Sequence, residues 1–212
     1  MIMKEVQPMN TNPSRGNRNS PRSLFAIVAT AASLALAAPT VSQETADPMA
    51  DAVARTFALI ARSFISLAEA MPAEKYSFKP VDGEFKEART FGEQVKHVAC
   101  ANYAFFNQIE KKEPPADCAN GGPSPAATKA ELMTYLRESF EYAQKVLRTM
   151  TSANALEPAG GPYGGPSTRL GLTTLAVWHA SDHYGQLVVY LRLNGIVPPA
   201  SRPASGKGPP SR

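Results

Sequence analysis

The stretch Trp178-His179-Ala180-Ser181-Asp182-His183-Tyr184-Gly185-Gln186 holds two of the three histidines in a chain of 212 residues. A step of four residues turns a helix by about 400°, so His179 and His183 stand about 40° apart on one face, one turn apart along the axis. Their imidazoles can converge on one ion. This is the two-histidine logic of the zinc-protease helix, but the glutamate that follows the first histidine there is Ala180 here, which excludes a protease of that type. Two ligands hold an ion poorly. The third histidine, His97, has Ala101 and Ala104 on its own helical face, and those small residues leave room beside it. If its helix neighbours that of the pair, three nitrogens meet, with coordination positions left over for water or substrate. That is the pattern of a catalytic metal centre, whereas structural zinc is closed by four protein ligands. A divalent ion held this way lowers the pKa of bound water or stabilises a thiolate. The competing reading is three hydrogen-bonded core histidines. Three imidazoles suit zinc, nickel, copper or iron; zinc and nickel are expected first, then iron or manganese.

Four segments have the apolar period of helices and must position these residues. The first runs from about Asp47 to Ala70, with Val53, Phe57, Ile60, Phe64 and Leu67 on one stripe. The second opens at Thr90 and runs to about Glu110; Thr90 and Glu93 form a capping box. The third opens on a second box, Thr128 with Glu131, and carries an apolar face from Leu132 to Met150. The fourth spans roughly Leu170–Asn194 and stops at Gly195, suited to the left-handed position past a helix end. Tyr76 and Phe78, in the first connection, are expected to pack onto the bundle. "EPPADCANGGPSP" and "EPAGGPYGGPS" read as loops. No strand alternation is evident. The fold class is all-α, a four-helix bundle of up-and-down or crossover type.

Arg-bearing polar residues lead into the apolar run Leu24–Ala38, and Ala35-Leu36-Ala37 supplies a small-x-small cleavage pattern. Residues 1–42 therefore read as a secretory signal peptide and leader. The run is shorter than the ~20 residues that span a bilayer, so no stable membrane insertion is expected after cleavage. Export would place Cys100 and Cys118 where a disulfide persists. Free thiols, or Cys100 as a metal ligand three residues after His97, are the other readings. The net charge of +4 comes from the ends; over 43–200 basic and acidic residues nearly balance. No basic stripe marks the folded part, so no nucleic-acid partner is expected. Residues 201–212 have almost nothing apolar to bury and read as a disordered tail.

Three further stretches, "MPAEKYSFKP", "RTFGEQVKHVACANYAFF" and "HASDHYGQLVVYLRLNGIVPP", make the chain similar to the DinB/YfiT-like metal-dependent family over roughly residues 48–200. The resemblance implies a DinB-type four-helix bundle over 43–200, often homodimeric, with a divalent ion on a histidine triad. His97, His179 and His183 occupy those three positions. It also implies a thiol-dependent transferase or a hydrolase acting on a small molecule; a secretory leader, away from the cytoplasmic thiol pool, favours hydrolytic or binding roles. The alternative is a non-catalytic bundle that binds metal or a small ligand.

Around the triad, Gln186 lies one turn past His183 and can bond a bound water or substrate, or pack between helices. Glu93 lies one turn before His97 and can orient that ring, although the capping box already accounts for it. Asp182 is a further ligand candidate or a solvent-facing charge. Trp178 and Tyr184 line a pocket or pack.

Overall fold

A computed structural model describes residues 47–80, 88–113, 128–161 and 167–203. They belong to the unit Glu44–Arg212; the unit Met1–Gln43 lies outside the described residues. The expectations for the leader at 1–42, for Cys118 and for the tail beyond residue 203 likewise fall outside.

The four helices are α1 (Pro48–Ala70), α2 (Phe91–Glu110), α3 (Lys129–Leu147) and α4 (Arg169–Leu193). Their starts follow from side chains that satisfy the orphan first-turn N–H groups. Asp47 Oδ1 accepts from the Met49 and Ala50 amides at 3.2 and 3.1 Å. Thr90 with Glu93, and Thr128 with Glu131, form reciprocal capping boxes. α2 ends on Lys111 in the left-handed conformation (φ 55°). α4 is followed by Gly195 at φ 71°, where a side chain would clash with its own backbone. α3 stops at Leu147, three residues before the apolar pattern does, but Met150 is still buried.

α1 packs on α3 and α4, and α2 packs on α3 and α4, so the order around the bundle is α1–α3–α2–α4. Lys75 Nζ donates to the Asn194 carbonyl at 3.3 Å, which brings the C-terminal ends of α1 and α4 together. Lys129 Nζ donates to the carbonyls of Glu69 and Met71, placing the start of α3 at the end of α1. α1 and α4 therefore run one way and α2 and α3 the other. Adjacent, parallel α2 and α3 make this a crossover bundle, one of the two topologies the connection lengths allow.

The core is aromatic. Phe57 of α1 meets Phe106 edge-on at 5.3 Å and Phe140 at 5.7 Å, and Phe64 meets Phe140 at 6.1 Å. All four rings are 0–1 % exposed, and burying each is worth about 1.5–3 kcal/mol. Tyr76 is buried edge-on to Phe91, and Phe78 packs on Tyr190. Gly92 sits at a close approach: a Cβ there would lie 3.3 Å from both Leu132 Cδ1 and the Tyr76 carbonyl oxygen. One small departure from the sequence reading lies between α3 and α4. Pro158–Ala159 and Ser167–Thr168 pair as a two-residue antiparallel ladder, where loop was expected throughout. The pair is too short for alternation to show in the sequence. No helix among the described residues is long and apolar enough to cross a membrane.

Candidate metal centre

His97 projects from the middle of α2, and His179 and His183 project one turn apart from α4. Because α2 and α4 are neighbours, all three rings meet in the seam between them. Ring centroids are 5.0 Å apart for His97–His179, 4.9 Å for His97–His183 and 4.6 Å for His179–His183. One nitrogen from each ring lies within 4.8 Å of the others. The closest approach is 3.1 Å, between the Nε2 atoms of His97 and His179. Two nitrogens each about 2.1 Å from one ion, at angles between octahedral and tetrahedral, stand about 3.0–3.4 Å apart, so this pair fits a shared divalent cation. Phe105 meets the His179 ring edge-on at 5.5 Å. Phe105 itself is buried.

Electrostatics keep the rings neutral. Burial, then Arg89 and His183, push His97 down to about 4. Burial, then His183, His97 and Arg89, push His179 down to about 3. His183 is lowered by burial, opposed by Asp182 and helped by Arg89. At neutral pH each imidazole therefore keeps the lone pair that a metal needs. His97 and His179 meet through their Nε2 atoms, a contact that one N–H bridges in the metal-free protein and that an ion replaces by taking both lone pairs.

The structure sorts the surrounding candidates. Gln186 touches no histidine; it is exposed and bonds Gln94 at 3.1 Å and Asp182 at 2.8 Å. Glu93 is exposed and committed to the Thr90 capping box, so it does not orient His97. Asp182 faces out and is not one of the clustered donors. Trp178 is 59 % exposed, whereas Tyr184 is half-buried against the core. Cys100 is buried, is not a free thiol and stands outside the cluster. Cys118, the other cysteine of the chain, lies outside the described residues.

The residue that sequence reasoning missed is Gln94. Only 4 % exposed, it places its Oε1 2.6 Å from His183 Nδ1 and its Nε2 3.3 Å from the Tyr190 hydroxyl. Its signal was a glutamine at a position three residues before His97, which the helical period puts on the same buried side.

Comparison with known proteins agrees with this architecture. Residues 56–187 match the model of the DinB superfamily. No curated protein matches. Among solved structures, a DinB-like protein from Bacillus subtilis superposes with a TM-score of 0.53 at 23 % identity, over 68 % of this chain and 92 % of that one. A DinB-like protein from Bacillus cereus gives 0.59 at 16 % identity, over 70 % and 95 %. YfiT from Bacillus subtilis, described as a probable metal-dependent hydrolase with an unusual four-helix bundle topology, gives 0.55 at 17 % identity, over 73 % and 93 %. The chain belongs to the DinB superfamily.

Proposed function

We propose that this DinB superfamily protein is an exported, divalent-metal-dependent enzyme acting on a small molecule, with His97, His179 and His183 as its metal ligands. The observation that carries the reading is the convergence of all three histidines of the chain, from two helices, into one seam. A bound divalent cation would supply Lewis acidity, polarising a substrate heteroatom or activating water as the nucleophile. The protein's own share of the work is definite. Burial holds the three rings neutral, Phe105 packs edge-on against His179, and Arg89 adds positive charge that favours an electron-rich substrate group. Hydrolysis is preferred over thiol transfer because the leader at 1–42 points to export, away from cytoplasmic thiols. YfiT, a fold neighbour, is described in hydrolytic terms.

A second reading has one observation in its favour. Among the described residues no carboxylate joins the histidine cluster, so a protein-derived general base is not evident there. A non-catalytic metal- or ligand-binding bundle would need none.

The test has two parts. Elemental analysis of protein recovered from its native compartment should find close to one equivalent of zinc, nickel, iron or manganese. Less than about 0.1 equivalent, even after reconstitution, removes the metal reading. A turnover screen with esters, amides and thiol–electrophile pairs, run beside His179→Ala, separates enzyme from binder. Cell fractionation with N-terminal sequencing checks export: the mature chain should begin near residues 38–44.

A further inference from the structure

The hydrogen bonds behind His183 form a branched relay whose polarity can be read from its ends. One arm ends on the Arg89 carbonyl, which only accepts. The Tyr190 hydroxyl lies 2.9 Å from it and gives it its single proton. Toward Gln94, Tyr190 must therefore accept, and the atom of Gln94 facing it at 3.3 Å must be the amide nitrogen. The other arm ends on the Asp182 carboxylate, which also accepts. Gln186 presents its Nε2 there at 2.8 Å, so its Oε1 turns back to Gln94 at 3.1 Å. That contact again requires the Gln94 nitrogen. Both arms thus consume the two N–H bonds of Gln94 and leave only its Oε1 for His183, 2.6 Å from Nδ1.

We infer that Gln94 is the positioning residue of the site: it holds His183 as the Nδ1–H tautomer, and so turns an unprotonated Nε2 toward His97 and His179. Nothing here depends on the orientation assigned to either amide, because a backbone carbonyl and a carboxylate dictate it independently. The relay also ties α4, from Asp182 to Tyr190, to Gln94 in the first turn of α2 and to Arg89 just before that helix. Its consequence for an ion rests on the metal-binding reading above; the tautomer itself does not.

The experiment is long-range 1H–15N NMR on uniformly labelled, metal-free protein at neutral pH, followed by zinc competition titrations. Wild-type His183 should show a protonated Nδ1 and a bare Nε2. Gln94→Met removes the acceptor while keeping the length, and should erase that preference and weaken zinc binding about 10–100-fold, the usual effect of losing a partner behind a ligating histidine. Gln94→Glu restores an acceptor and should recover the tautomer. A wild-type His183 carrying its proton on Nε2 overturns the inference, as does a tautomer unchanged in Gln94→Met. The wild-type spectrum alone decides if the variants fold poorly. An Nδ1–H tautomer in a protein that takes up none of zinc, nickel, iron or manganese would sink the metal reading and leave the positioning role standing.

Discussion

Along its seam with α3, helix α2 presents Asn102, Tyr103 and Asn107; along its seam with α4 it presents Gln94 and His97. Asn102 donates to Ser139 Oγ at 3.2 Å, and Ser139 passes its proton to the Leu136 carbonyl at 2.8 Å. Tyr103 stacks on both Tyr135 and Tyr142 with centroids 5.4 Å away. Asn107 accepts from the Tyr142 hydroxyl and donates to the Glu113 carbonyl. The Asn102 and Asn107 side chains there bond other protein groups. The α4 seam is equally well satisfied behind His183, through Gln94. In front, three imidazoles point at one another. Buried polar groups that complete one another lock helices together; buried lone pairs that converge are arranged for a guest. The difference lies in where the lone pairs point, not in how polar each seam is.

That contrast can be broken from either side. The largest effect is expected from His179→Ala, which removes one of three donors. Metal affinity should fall by more than the ~100-fold that losing an outer partner costs, while the metal-free melting temperature stays level or rises, since a buried imidazole is gone. Calorimetric titration and melting curves check both halves. Undiminished affinity would place the ion elsewhere.

Phe140→Ala attacks the aromatic core instead, where α3 packs on α1. Its ring fills the space between Phe57 and Phe64, and truncation should cost about 3–5 kcal/mol in denaturant unfolding. Metal stoichiometry should hold in whatever fraction stays folded. Loss of metal from folded protein would mean that the aromatic core and the metal centre are not separable.

A bridge between Cys100 and Cys118 is proposed from the sequence and from the buried, non-free Cys100 on α2. Reduction should lower stability by about 3 kcal/mol on the chain-entropy account. Intact mass after alkylation should show no modified thiol in exported protein, and two modified thiols would end the proposal.

The smallest effect is on pH dependence. His97 and His179 are pushed down to about 4 and about 3 in the fold, chiefly by burial, against about 6.5 in the unfolded chain. The unfolded chain therefore takes up protons first as pH drops. Stability of the metal-free protein is fully present above about 6.5 and is lost as pH falls toward the folded-state values. Melting temperatures from neutral pH to pH 5 should decline, and less steeply in His97→Gln. Equal slopes would mean the rings are not desolvated.

Much of this was legible in the residues, for identifiable reasons. Capping boxes are local, so Thr90/Glu93 and Thr128/Glu131 place two helix starts without tertiary knowledge. Three histidines in one chain are few enough that their spacing stands out. What sequence could not supply was helix order. An apolar stripe says that a helix has a buried face, not which neighbour covers it, and the α1–α3–α2–α4 order is what brings His97 to the pair. Gln94 was missed for the same reason. A lone glutamine has no spacing signature, and its meaning depends on the Tyr190 hydroxyl, on Gln186, and, through Tyr190, on a backbone carbonyl at Arg89. Of the two readings open for Gln186, the structure shows contact between helices, through Gln94 of α2. Glu93 is the local case: the capping box that the sequence already offered accounts for it.

The most direct measurement is a crystal structure of metal-loaded protein with anomalous data collected at that metal's absorption edge. The account predicts one anomalous peak in the α2–α4 seam, about 2.0–2.2 Å from a nitrogen of each of His97, His179 and His183. A peak bonded to fewer than three of these rings, or lying outside that seam, would contradict it.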